Sequence, residues 1–115
     1  MKKVILGCFL VISLYGWGNT ENFIKGSTDW EQFDNGNEKV DKFFAYGYLN
    51  YIGGVMDAID DILVCRPKNS TGNQVLAIVR KYIKENPEKW NKSAWYLVYT
   101  PLTKAFPCKK QKDKK

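Results

Sequence analysis

Apolar side chains recur at spacings of three and four residues over three stretches of the chain, a pattern typical of amphipathic helices. The stretches cover residues 40–64, 75–83 and 90–106. No segment alternates apolar and polar residues for long enough to predict a β-strand. The predicted fold class is therefore all-α, a small compact bundle of about four helices.

Local signals set the expected ends of the first two helices. Pro67 disfavours helical geometry at the residue before it, so the first helix should end at Cys65-Arg66. Thr71 followed three residues later by Gln74 matches a capping box, which predicts the start of the second helix there.

A third helix is predicted to begin at Asn86, a good capping residue that is followed by Pro87. Pro107 should end this helix. Pro101 lies inside it and removes one backbone donor, so a kink is expected there.

The first predicted helix contains many small residues, although each glycine in a helix interior costs about 1 kcal/mol relative to alanine. They are Ala45, Gly47, Gly53, Gly54 and Ala58. A kink is one explanation. Close approach by another helix or by a second subunit is the better one.

The chain begins with a pattern typical of a bacterial secretory signal. Lys2 and Lys3 precede an apolar run over residues 4–15, which is shorter than the ~20 residues a membrane-spanning helix needs. Gly16 and Gly18 suit cleavage after residue 18. A lipoprotein attached through Cys8 and an uncleaved anchor remain alternatives.

With that cleavage, four segments are predicted: a signal peptide (1–18), an irregular N-terminal arm (19–38), a helical domain (39–108) and a basic disordered tail (109–115). The arm is polar and rich in turn-forming residues, and at most one helical turn is expected in it, near residues 28–33. The expected location is the bacterial periplasm, with no membrane segment after cleavage.

The formal charge of +6 is concentrated at the two ends of the chain. Residues 19–108 contain eleven basic and eleven acidic side chains, while five lysines lie in the tail after Cys108. Nucleic-acid binding needs a folded basic surface, and this distribution does not predict one.

Removal of the signal peptide leaves two cysteines, Cys65 and Cys108. In an exported protein such a pair favours a disulfide, which in the chain-entropy model would stabilise the fold by about 4 kcal/mol. A catalytic thiol and a metal ligand are the alternatives. Both lack partners, because the chain contains no histidine.

Asp57, Asp60 and Asp61 form the one carboxylate cluster. Paired carboxylates can perform acid–base chemistry or bind a metal, but a solvated face or pairing with basic residues is the favoured interpretation. Two of them lie near a predicted helix end that disfavours acids, which hints at a cationic neighbour. We predict no enzyme activity, no metal and no cofactor.

Four elements occur in order in the second half of the chain: Tyr-Ile-x-Gly-Val-x-Asp-Ala at 51–58, Cys-x-Pro at 65–67, Asn-Pro-Glu at 86–88 and Ala-Phe-Pro-Cys at 105–108. Together they resemble the Rap/Tai family of type VI secretion immunity proteins. The resemblance covers about half of the chain. It implies that residues 39–108 form an immunity-type domain.

The sequence departs from the family pattern at three positions. Tyr48 stands where members often have a further cysteine that pairs with one upstream. Asn50 replaces a glycine, and Pro101 replaces an alanine. These departures concern the N-terminal arm and the last helix.

The resemblance implies a small helical periplasmic protein, often a homodimer, that binds a cognate toxin and blocks its active site. In the best-known members the toxin is a peptidoglycan amidase. Contact residues vary with the toxin, so we predict them from exposure alone: the loop at Lys68 and Asn69, and the helix face carrying Arg80 and Lys84.

Two alternatives belong to other classes. A periplasmic acid-stress chaperone would also be small, helical and lysine-tailed, but it should unfold near pH 3 and then bind denatured proteins. A family member repurposed as a small exported binding protein would have no amidase partner. The Cys-x-Pro and Phe-Pro-Cys elements favour the immunity protein.

Overall fold

The computed structural model describes residues 20–109, which form four α-helices and one short 3-10 helix. The α-helices are α1 (Thr20–Asp34), α2 (Lys42–Ile59), α3 (Gly72–Glu85) and α4 (Ala94–Ala105), and the 3-10 helix Pro87–Lys89 lies between α3 and α4. No strand occurs among these residues, so the all-α prediction is confirmed. The predicted signal peptide and residues 110–115 of the predicted tail lie outside the described residues.

The prediction of an irregular arm over residues 19–38 is wrong, because Thr20–Asp34 is a 15-residue helix. Phe23 and Trp30 lie on its buried face, and their ring centroids are 5.2 and 5.6 Å from that of Tyr48 on α2. Isolated helices of this length are marginal in water. Packing against α2 therefore stabilises α1, overriding the weak helix preference of its glycine, serine and threonine residues.

Gly26 lets α1 and α2 approach closely. A β-carbon at this position would lie 2.5 Å from the carbonyl oxygen of Phe44 and 3.0 Å from the β-carbon of Tyr48. By contrast, a β-carbon on Gly53 or Gly54 of α2 would meet nothing within 4 Å. The close contact between these two helices thus depends on a glycine of α1.

Helix α2 ends at Ile59, before the predicted end near residue 64. The chain then makes a tight turn over residues 60–64, in which the amides of Ile62 and Leu63 donate to the Ile59 carbonyl at 3.0 and 2.9 Å. Leaving the helix allows Val64 to be fully buried. It also exposes Ile62 and Leu63, which the helical pattern assigned to the apolar stripe.

The predicted disulfide joins Cys65 to Cys108, with the two Cα atoms 4.7 Å apart. Beside it, the Cys65 amide donates a hydrogen bond to the Phe106 carbonyl at 2.9 Å. The segment after α2 is therefore fixed to the end of α4 by one covalent bond and one backbone hydrogen bond.

The capping box at the start of α3 is confirmed. The Gln74 amide donates to the Thr71 hydroxyl oxygen at 3.1 Å, and the Thr71 amide donates to the Gln74 side-chain oxygen at 3.4 Å. Between the helices lies one continuous core, whose largest fully buried side chains are Tyr48, Ile52, Val64, Val79, Ile83, Leu97, Val98 and Leu102.

Asn86 and Pro87 begin a short 3-10 helix and not the predicted long helix, since α4 begins only after Ser93, whose hydroxyl oxygen accepts from the Tyr96 amide at 3.2 Å. The intervening turn places Trp90 beside the end of α3, where its indole N–H donates to the Ile83 carbonyl at 2.8 Å. A helix running straight on from residue 86 would lose that contact. Helix α4 continues through the buried Pro101 to its end.

Candidate partner-binding surface

Two of the predicted contact residues, Arg80 and Lys84, meet at a polar junction between α1 and α3. Arg80 Nε donates to Glu31 Oε1 at 3.0 Å, and its terminal NH1 group donates to the buried Ser27 hydroxyl at 3.2 Å. Lys84 Nζ lies 3.4 Å from the other Glu31 oxygen. The two basic residues are thus brought together by one carboxylate of α1.

The expected accessibility of Arg80 is contradicted, because its side chain is only 11% exposed. Its charge is directed toward Glu31, whereas Lys84 remains largely open to solvent. Partial burial would raise the pKa of Glu31, but hydrogen bonds from Arg80 and Lys84 and their positive charges outweigh it and hold that pKa below its ordinary value. The junction is therefore a partly buried ion-pair cluster that joins α1 to α3, with one exposed lysine at its edge.

The other two predicted contact residues, Lys68 and Asn69, lie in the exposed loop that precedes α3. A turn centred on them is closed by the Ser70 amide and hydroxyl, which both donate to the Pro67 carbonyl at 3.1 and 2.8 Å. Arg80 lies roughly 12 Å further along the α3 axis, at 1.5 Å per residue from Gly72. The four predicted residues therefore do not form one compact site.

The 60–64 turn exposes two adjacent apolar side chains next to the disulfide. Ile62 is 69% exposed and Leu63 is 45% exposed. Sequence analysis missed this feature, because both residues continue the spacing of the α2 stripe. The one local signal for an early helix end was the pair of acids at Asp60 and Asp61.

The acidic cluster is divided between different environments. Asp60 forms an ion pair with Arg66 at 3.7 Å, which supplies the cationic neighbour that its position near the helix end indicated. Asp57 and Asp61 are exposed. Among residues 20–109 no three acidic, cysteine or histidine side chains are grouped so that they could hold a metal ion.

A shallow apolar groove lies along the outer face of α2. Its volume is about 540 Å³ and its lining residues are Gly47, Asn50, Tyr51, Gly54, Val55, Ala58 and Trp95. Trp95 of α4 forms one wall, and its ring stacks on that of Tyr99 with centroids 5.2 Å apart. The groove therefore combines small residues of α2 with a large aromatic wall.

Tyr48 of α2 lies between α1 and α3. Its ring packs on Phe23 and Trp30, and its hydroxyl donates to the Leu76 carbonyl at 2.6 Å. Burial raises the pKa of this phenol well above its ordinary value, so it remains a neutral hydrogen-bond donor at any physiological pH.

Together these features define a small helical protein closed by a disulfide, with an apolar turn, a polar loop and an apolar groove on its surface. A family model for Rap1a immunity proteins matches residues 17–108. The chain belongs to this family, which confirms the resemblance and assigns the chain an immunity role with a protein toxin as partner.

Comparisons with curated proteins and with solved structures gave no significant match. Over residues 20–109, none of the helices combines the length and the apolar character that crossing a membrane requires.

Proposed function

We propose that this chain is a periplasmic immunity protein that binds a cognate type VI secretion toxin, a peptidoglycan amidase, and sterically blocks its active site. The family match over residues 17–108 carries the proposal. The disulfide between Cys65 and Cys108 supports export, because such bonds persist in oxidising compartments such as the periplasm.

Inhibition of this kind needs an accessible surface and no chemistry of its own. Lys68, Asn69 and Lys84 are exposed and polar, and we propose them as contacts with the toxin. Arg80 acts in this proposal by holding α3 against α1 through Glu31, which fixes the position of Lys84.

The proposal is tested with a type VI secretion amidase, taken from the genes beside that of this chain where one is encoded there. Bacterial cells that direct this toxin to the periplasm should lyse, and co-expression of the full chain should prevent lysis. A matched variant that lacks residues 1–18 should stay in the cytosol and give no protection.

The purified proteins provide the second readout. Calorimetry should show a complex, and adding the chain should stop release of peptides from purified peptidoglycan. A chain that neither binds this toxin nor reduces peptide release would contradict the proposed function.

We also propose a homodimer in which the α2 groove receives the same helix of a second copy. Gly54 supports this, because a β-carbon there would meet nothing in one copy, so that another backbone can approach closely. Gly54→Leu should shift the sedimentation coefficient from dimer to monomer, while Ala77→Leu on the exposed face of α3 should not. Sedimentation of the unaltered chain as a monomer at micromolar concentration would rule the dimer out.

A further inference from the structure

We infer that the 60–64 turn is an apolar anchor that enters a cleft of the toxin. This inference rests on the proposed toxin binding and adds an apolar surface to the polar contacts proposed for it. The turn lies between α2 and the exposed loop at Lys68 and Asn69, so anchor and polar contacts belong to one connecting segment.

The first argument is exposure. Ile62 is 69% exposed and lies beside Leu63, which is 45% exposed. Burying such side chains is favourable, and the free protein leaves much of the apolar surface of both residues in contact with water. Binding hot spots are buried apolar or aromatic anchors surrounded by polar contacts, and this arrangement offers both.

The second argument is rigidity. The turn starts at the buried Ile59 and ends at the buried Val64, and the Asp61 amide donates to the Val64 carbonyl at 2.7 Å. The next residue, Cys65, is fixed by the disulfide and by its hydrogen bond to Phe106. A segment ordered before binding loses little conformational entropy on binding.

The third argument is backbone conformation. Asp61 has φ 67°, in the left-handed region that residues other than glycine seldom occupy. Such conformations are unfavourable and persist where the surroundings enforce them, often at binding sites. This residue reverses the chain so that the Ile62 and Leu63 side chains point away from the core.

The anchor fits a concave partner and not a second copy of this chain. Two side chains alone bury far less than the ~800 Å² per partner of a stable protein interface, so the anchor must act together with the polar contacts of the neighbouring loop. Self-contact would also bring the exposed Asp57 and Asp61 carboxylates of two copies together, and like charges at an interface are unfavourable. A toxin cleft with an apolar floor and a rim that carries both charges complements the turn, because the exposed Asp57, Asp61 and Lys68 flank it along the chain and ligand clefts are concave and mostly apolar.

The test is affinity for a purified type VI secretion amidase, the toxin against which the chain protects cells. Ile62→Asp should weaken binding by about 30-fold or more, the scale of a hot-spot residue. The control is Phe43→Asp, since Phe43 is 71% exposed but lies at the opposite end of α2; it should change the dissociation constant by less than about threefold, as expected outside the hot spot. Ile62→Leu, which keeps an apolar side chain at this position, should bind the toxin about as well as the unaltered chain.

Thermal unfolding separates binding from folding, and both aspartate variants should unfold within a few degrees of the unaltered chain. If the unaltered chain binds the toxin and Ile62→Asp binds equally well, the anchor is wrong and the proposed function stands. If the unaltered chain does not bind, both fail. Conversion of a dimer to a monomer by Ile62→Asp, with toxin affinity unchanged, would overturn the anchor in favour of self-association.

Discussion

The two ends of α2 are attached to their neighbours by different means. At the start, α1 is held by aromatic rings around Tyr48 and by the close approach at Gly26. At the other end, the chain is tied to α4 by the disulfide of Cys65 and by its backbone hydrogen bond. Burial lowers the free energy of the folded state directly, whereas a cross-link acts mainly by restricting the unfolded chain.

The packed end of α2 is centred on Tyr48. In this protein the ring contacts and the hydrogen bond to the Leu76 carbonyl join α1, α2 and α3 at that point. This end of α2 is thus held by packing and hydrogen bonding, while the other end is held by the cross-link.

The largest expected effect is at the packed end. Tyr48→Ala should lower the free energy of unfolding by about 3–5 kcal/mol, because it leaves a cavity among buried rings. Urea denaturation at neutral pH measures this. Tyr46→Ala, on the exposed side of the same helix, should cost less than about 1 kcal/mol. Equal losses of stability in the two variants would contradict the role of Tyr48 packing at this end of α2.

Removal of the cross-link is expected to come next. Replacing Cys65 and Cys108 together by alanine should cost about 2–4 kcal/mol. Hydrogen exchange should speed up at the amides of residues 60–66, while the amides of α1 keep their protection relative to global unfolding. Faster exchange in α1 than in the 60–66 segment would show that the two ends are not independently held.

Gly26→Ala should destabilise the protein by about 1–3 kcal/mol, the usual range for overpacking, because the new methyl group meets the Phe44 carbonyl. Gly53→Ala is the matched control, since open space surrounds that position, and it should be neutral or stabilising by up to about 1 kcal/mol. Thermal unfolding of the two variants should therefore shift in opposite directions or at least differ in size. If Gly26→Ala is as stable as the unaltered chain, the close contact between α1 and α2 at the Phe44 carbonyl is wrong.

The smallest effect concerns pH. The pKa of Glu31 is lowered from 4.5 in the folded state, so its stabilising contribution is complete above the unfolded pKa and is lost as pH falls through the folded pKa. Glu31→Gln should therefore weaken the loss of stability below about pH 4.5, the ordinary pKa of this group. Chemical denaturation at several acidic pH values measures this slope, and an equal slope in Glu31→Gln and the unaltered chain would contradict the prediction.

The parts of the fold that could be predicted are those with local signals. The spacing of apolar residues identified the helical regions, the Thr71–Gln74 pair fixed the start of α3, and the cysteine pair indicated the disulfide. Helix α1 could not be predicted, because its sequence contains few apolar residues. Its stability comes from packing of its Phe23 and Trp30 rings on Tyr48 of α2.

The candidate surface was harder to predict for the same reason. Arg80 has the sequence character of an exposed helical residue, but its partners Glu31 and Ser27 lie about fifty positions away in the chain. Ile62 continues the helical spacing and becomes exposed only because the chain must leave α2 to reach the disulfide. Both outcomes depend on long-range contacts that no short segment specifies.

The disulfide also has a mechanical consequence. It closes a covalent ring from Cys65 to Cys108 that contains α3 and α4, and it leaves α1 and α2 outside the ring. A force that pulls on both ends of the chain can extend α1 and α2, but it cannot lengthen the ring beyond the span of one cystine. Fully extended, that segment would otherwise reach roughly 150 Å, so the ring limits how far a pulling machine such as an unfolding protease can draw the second half of the molecule apart.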